Sequence, residues 1–237
     1  MTLNAKKVPS TGKSNRVEQP ILEAGGYPAR VVQILDLGLQ PQRPYQGEDK
    51  PPAYEIQLTY EFSDVFMVDE DGNELEDKPR WISETFPLRS LEADLAKSTK
   101  RYKALDPEEV HGGDFGLLLD TPCMVTVVVN KKGDKVYENV GNVGPMRARD
   151  VAKCPELKNT PKFFALDEPD LDVFNALPKW LQDKITSNLE FKGSLLEELL
   201  SSTEGKEKPK PTKGKAKPAP VDEEDPPFDA DGEDAPY

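Results

Sequence analysis

A single histidine, two cysteines and two tryptophans in 237 residues remove most of the usual chemical options before any motif is sought. Cys123 and Cys154 are too few for a disulfide scaffold, fit a reducing compartment, and are expected as small buried hydrophobes. Together with His111 they lack zinc-ligand spacing. His111 sits beside Gly112-Gly113, and no serine or cysteine carries a signature that would pair it with a base, so this histidine reads as a loop bystander. No run approaches the roughly 18 to 20 apolar residues of a membrane span, and the N-terminus lacks the apolar stretch of a signal peptide. The expectation is a soluble, intracellular protein with no membrane partner.

Two motif fragments fail on spacing. Gly12-Lys13-Ser14 matches the end of a phosphate-binding loop, but Lys7 stands where the first glycine belongs and no strand precedes it. Asp71-Gly72-Asn73 lacks the glycine placement of a calcium loop and reads as turn chemistry. Acids are plentiful enough to hide a magnesium-dependent nuclease, yet no spaced acidic signature stands out. No catalytic residue, metal or cofactor is expected.

What the chain does have is charge. The formal net charge is −13, which taken whole opposes nucleic-acid binding, since phosphate neutralisation drives that affinity. Charges more than about 10 Å apart are largely screened at physiological salt, however, so local distribution decides. Basic residues cluster at Lys6, Lys7, Lys13 and Arg16, at Lys97, Lys100, Arg101 and Lys103, at Lys131, Lys132 and Lys135, and at Arg147 and Arg149. Near the end, Gly205–Pro220 alternates six lysines with Pro, Gly, Ala and Thr, the composition of a solvated linker. Val221–Tyr237 then holds eight acids and no base, with Pro226-Pro227-Phe228 inside it and Tyr237 at its end. Such a polyampholyte could be solubilising only, but Phe228 and Tyr237 are out of place in a purely solvating segment.

The opening residues 1–24 are polar and turn-rich and read as a flexible arm. Order is expected from Gly25-Gly26. Tyr27–Leu37 is β-branched and apolar, Tyr54–Phe62 alternates with Tyr54, Tyr60 and Phe62 on the apolar side, and Arg80–Phe86 repeats the period of two, predicting three strands. Glu55 and Glu61 fall on the polar face of the second. Ser90 offers an N-cap for a helix whose apolar stripe is Leu91, Leu95, Tyr102 and Leu105, leaving Lys97, Lys100, Arg101 and Lys103 to a solvated face. Pro122–Val129 and Val136–Val140 form two further strands around a Gly133-Asp134 turn. From Pro169 to Leu200 the spacing of Leu171, Phe174, Leu177, Leu181, Ile185 and Leu189 predicts helix, restarted at Pro178 and packed against the preceding domain.

Three strands, a helix and two strands is the pattern of an OB-fold, a partly open Greek-key β-barrel. The expected architecture is mainly β, with one helix between the third and fourth strands, C-terminal helices and a disordered tail. The segments Gly26–Gly38, Leu119–Val127 and Tyr137–Val140 resemble OB-fold single-stranded-DNA-binding proteins encoded by tailed bacteriophages. Independently, the acidic tail resembles the C-terminal peptide of bacterial and phage single-stranded-DNA-binding proteins. The implied division is a barrel over 25–150, a helical extension over 151–204, a linker over 205–220 and a partner-binding tail over 221–237.

Single-strand binding needs aromatic faces for bases and cations for phosphates. On the strands and loops that flank an OB groove the candidates are Arg43, Tyr45 and Lys50, then Arg80 and Trp81, then Lys131, Lys132, Lys135 and Tyr137, with Arg147 just past the barrel. Trp81 and Tyr137 could equally be core or rim aromatics, and a lysine-rich hairpin tip could be an ordinary solvated turn. The resemblance further implies a tail, through Asp222, Glu223, Glu224, Asp225, Phe228 and Tyr237, that mimics nucleic acid and recruits a polymerase, helicase-primase or nuclease in phage replication or recombination. It places the chain in the cytoplasm of a bacterial host, with self-association possible. The alternatives are a noncatalytic adaptor whose barrel contacts protein, and a strand-annealing recombination protein.

Overall fold

The computed structural model describes residues 17–204 apart from 134; the predicted linker and acidic tail lie outside that range. Six strands are formed: β1 (Gly25–Gln40), β2 (Ala53–Val68), β3 (Glu74–Pro87), β4 (Pro122–Lys132), β5 (Lys135–Pro145) and β6 (Lys162–Phe164). The first five lie in the order β3-β2-β1-β4-β5 with antiparallel pairing, and β6 runs parallel to β1 at Gln33–Leu35. Helix α1 (Lys97–Leu105) falls between β3 and β4, as expected, and α2 (Ala148–Val151), α3 (Leu171–Asn175), α4 (Lys179–Thr186) and α5 (Leu195–Glu204) follow the fifth strand. The protein is mainly β.

The sheet curls until its edge strands meet through side chains. Arg80 of β3 donates to both carboxylate oxygens of Glu138 on β5, at 3.1 and 2.8 Å. Further along, Arg101 of α1 sits between Glu84 of β3, at 2.8 and 3.1 Å, and Asn142 of β5 at 3.2 Å. Among the described residues no backbone ladder joins β3 to β5. Residues 17–23 strap one end of this seam: Gln19 exchanges hydrogen bonds with the backbone of Val68, the Pro20 carbonyl accepts from Arg80, and the Leu22 amide donates to Glu138.

Two cores result, and bulges in β1 explain why one strand can serve both. Strict alternation would send every second residue to one face, but register shifts between Val31 and Gln33 and between Asp36 and Gly38 re-aim the chain. Val31 and Ile34 therefore join the interior formed by Leu58, Tyr60, Phe62, Phe86, Tyr102, Phe115, Val125 and Val127. Leu35 and Leu37 join a second cluster with Phe164, Phe174, Leu177, Leu181, Ile185 and Leu196. Gly38 marks the junction: its φ is +76°, and a Cβ there would fall 2.7 Å from Asn188 and 2.8 Å from Leu166. The extension thus packs on the sheet through β1, as its apolar stripe demanded.

Several local expectations are corrected. The helix does not start at Ser90, whose hydroxyl accepts from the Glu92 amide in a turn at 3.3 Å; it starts at Lys97. Arg101 is not on a solvated face but buried at 3% exposure, because Glu84 projects into the interior and requires a cation. Tyr54 is 49% exposed, since it lies at the start of its strand, and its hydroxyl donates to Glu190 at 3.0 Å. Cys123 is buried, while Cys154 is only partly so and touches the Ser63 hydroxyl at 3.4 Å. The C-terminal helical segment restarts at Pro178 as expected and breaks once more, giving three short helices. Asp170 caps α3, Pro178 restarts the chain at α4, and Gly193 at φ +81° breaks it before α5, leaving Leu189 exposed.

Candidate nucleic-acid interface

Strand alternation sorts the predicted contacts. Arg80 and Glu138 meet, so their neighbours Trp81 and Tyr137 project to the other side of β3 and β5. Trp81 is 48% exposed and Tyr137 is half-buried. At the β4–β5 tip Lys132 lies opposite Lys135, Asn130 opposite Tyr137 and Val128 opposite Asn139. These six share one face of the ribbon. Lys131 lies opposite Val136 and so takes the other face. Lys131, Lys132 and Lys135 are all exposed; the structure unites Lys132 and Lys135 with Tyr137 and turns Lys131 away.

The loop between β1 and β2 presents a second aromatic. Tyr45 and Glu48 exchange backbone hydrogen bonds at 2.9 and 3.0 Å, and Gln46 and Gly47 have φ of +52° and +87°, the tight turn that demands two left-handed residues. Lys50 holds its ammonium 4.7 Å above the Tyr45 ring, keeping an aromatic face and a cation together. Arg43 is exposed in the same loop.

Register sets the β1–β2 loop, with Arg43, Tyr45 and Lys50, at the end of β1 opposite the one that pairs with β4 near the lysine tip, and two further candidates are not brought to the ribbon face either. Arg80 spends its donors on Glu138 and the Pro20 carbonyl, so it fastens the seam. Arg147 is exposed at the N-cap of α2, beyond the end of β5 that is remote from the lysine tip; ten strand residues separate those ends by about 33 Å. The tail residues Asp222, Glu223, Glu224, Asp225, Phe228 and Tyr237 lie outside the described residues.

The polar face of β2 is also not as expected. Gln57, Thr59 and Glu61 are buried, Glu61 at 3% exposure. Its carboxylate accepts from the Lys158 amide at 2.7 Å, the Asn159 amide at 3.2 Å and the Asn159 side chain at 2.7 Å. Glu55 pairs with Lys184 at 2.8 Å and accepts from Gln42 at 2.9 Å. Both carboxylates that would have repelled phosphate are therefore engaged by protein donors. Only contacts made across about a hundred residues of sequence create this arrangement, so no local pattern announced it.

The basic face of α1 is similarly spent. Lys97 pairs with Glu84 at 3.2 Å and Lys103 with Asp94 at 2.6 Å, leaving Lys100 exposed. The hydrogen bond from Lys103 holds the Asp94 carboxyl below its ordinary 3.8, and the same bond raises the lysine. Inside, burial and then the Glu84 charge push the Tyr60 hydroxyl well above its ordinary 10. Its proton accordingly stays on, donated to Glu84 at 2.8 Å. Among the described residues no group of His, Cys, Asp and Glu is placed to hold a metal ion, and no helix is long and apolar enough to cross a membrane. His111 donates its backbone amide to Asp106 at 2.8 Å, a structural contact.

The chain matches no protein-family model and no curated protein.

Proposed function

We propose that this chain is a noncatalytic single-stranded-DNA-binding protein built on an OB-fold barrel. Three features support the reading: the strand order β3-β2-β1-β4-β5, the seam between β3 and β5, and the helix between β3 and β4. This is the connectivity expected of a five-stranded barrel that uses its outer face and flanking loops for oligonucleotides. The observation that carries the function is narrower. Tyr137 shares one ribbon face with Lys132 and Lys135, and Trp81 is exposed on β3, whose Arg80 pairs across the seam with Glu138. Aromatic faces stack bases of any identity, cations take the phosphates, and the combination binds single strands without reading sequence.

Within this reading the acidic tail occupies the same surface when DNA is absent and is released by DNA to a replication or recombination partner. Phage origin, a bacterial cytoplasmic location and self-association belong to the same proposal. An adaptor role draws on one observation of its own: the β2–β3 hairpin exposes Glu70, Asp71, Glu74, Glu76 and Asp77, a surface suited to a basic protein. The two readings separate in one experiment. Trp180→Phe leaves Trp81 as the sole tryptophan; titration with oligothymidine should quench its emission saturably, and more weakly at higher salt. A flat titration would refute the DNA-binding reading.

A further inference from the structure

We infer that a bound single strand follows β3 and the outward face of the β4–β5 ribbon, excluded from β2 by the C-terminal extension. The inference rests on the nucleic-acid reading above and names the path across that surface. In register, the outward rows of the first three strands are Arg30, Glu61 and Trp81; Gln33, Thr59 and Ser83; and Leu35, Gln57 and Thr85. An open barrel face would expose all of them. Here Leu35 is sealed in the second core, and Gln57, Thr59 and Glu61 are buried. The β3 members differ: Trp81 is exposed, and Ser83 and Thr85 are half-buried.

The cover is fastened on both sides. Arg30 donates to the Pro155 carbonyl at 2.8 Å and the Cys154 carbonyl at 3.2 Å. Lys158 and Asn159 hold Glu61, while the Lys158 ammonium lies 5.1 Å over the Phe66 ring and bonds the Glu76 carbonyl of β3. Lifting this segment would strip a buried carboxylate of its donors, a penalty that no stacking base repairs. A strand is therefore turned aside at β3. On that side the ribbon offers more than Tyr137 and the two lysines. Asn130 and Asn139 share its face, and neither side-chain amide is bonded within the described residues. Each amide supplies donors and an acceptor for base edges or phosphates.

The test combines crosslinking with two sets of variants in the full chain. Oligothymidine carrying 4-thiothymidine is crosslinked and mapped by mass spectrometry; adducts are expected at Trp81, Tyr137 and the ribbon face. Asn130→Ala with Asn139→Ala should weaken binding several-fold at an unchanged Tm. Gln57→Leu and Thr59→Val, on the covered face, should leave affinity within about twofold, with thermal melting excluding loss of fold. Adducts within residues 55–61 or 155–164, or loss of affinity in the covered-face variants at unchanged Tm, would overturn the path while leaving DNA binding intact. Failure of the unaltered chain to bind any oligonucleotide would instead overturn the parent reading, and this inference with it.

Discussion

Single side chains divide between the proposed binding surface and the fold. Trp81→Ala and Tyr137→Ala should each weaken oligothymidine binding by about 1 to 3 kcal/mol, the value of one stacked base, with Tm unchanged because both rings stand outside the core; equilibrium titration and a melt check this together. Arg101 makes the opposite prediction. Removing it by Arg101→Ala leaves Glu84 buried without its main partner, which should cost about 3 to 5 kcal/mol in denaturant unfolding. Asp106 contributes to the acid limb. Burial raises its carboxyl, but hydrogen bonds from the His111 amide, the Tyr102 hydroxyl and the Val110 amide outweigh this and leave it below its ordinary 3.8. A carboxyl depressed in the folded state stabilises above its unfolded value and loses that contribution as pH falls through the folded one. Asp106→Asn should therefore lessen the fall in stability expected below about pH 4, which pH-resolved melts of both proteins would check. At this scale the sequence left Trp81 and Tyr137 open between core and surface, and the structure exposes Trp81 and half-buries Tyr137. The sequence misled at Arg101 and Glu61, because a charged residue's burial is decided by a partner on another strand.

Strands were more legible than helices. The apolar alternation of β2 and β3 and the turn residues Asp71-Gly72-Asn73 specify a hairpin locally: Asp69 accepts from the Asp71 and Asn73 amides at 2.9 and 2.8 Å, and Gly72 takes φ +83°. The bulges of β1 were not legible, since Val-Val-Gln-Ile-Leu-Asp-Leu fits either face until both cores exist. The C-terminal spacing gave the helices and the restart at Pro178 correctly but missed the break before α5, where Gly193 takes φ +81°. The β4–β5 ribbon yields a prediction that depends on parity. Each phosphate-bound cation contributes about 0.7 to the salt slope of single-strand binding, so Lys132→Gln with Lys135→Gln should lower that slope by about 1.4. Lys131→Gln, on the other face, should change it far less. Equal effects from Lys131 and its neighbours would mean the tip acts as a diffuse charge and not as one face.

For the whole molecule, the order of strands and the central helix emerged from local pattern, whereas the closed β2 face did not. That face is built by residues 154–164 returning to a strand laid down a hundred residues earlier, and by a second core that borrows Leu35 and Leu37 from β1. The net charge of −13 would act as a filter on the proposed binding. If the proposed function holds, an acidic body should limit coating of duplex, while the ribbon lysines act on phosphates within a screening length of about 10 Å. If the tail competes for this surface, ending the chain after Pro220 should tighten DNA binding; unchanged affinity would remove the tail from the mechanism and leave the surface in place. The central claim is tested most directly by fluorescence anisotropy of labelled oligothymidine against the full chain at low and high salt, beside a duplex of the same length. Binding that favours the single strand and weakens with salt is the predicted result. Equal preference for duplex, or no binding at low salt, would contradict it.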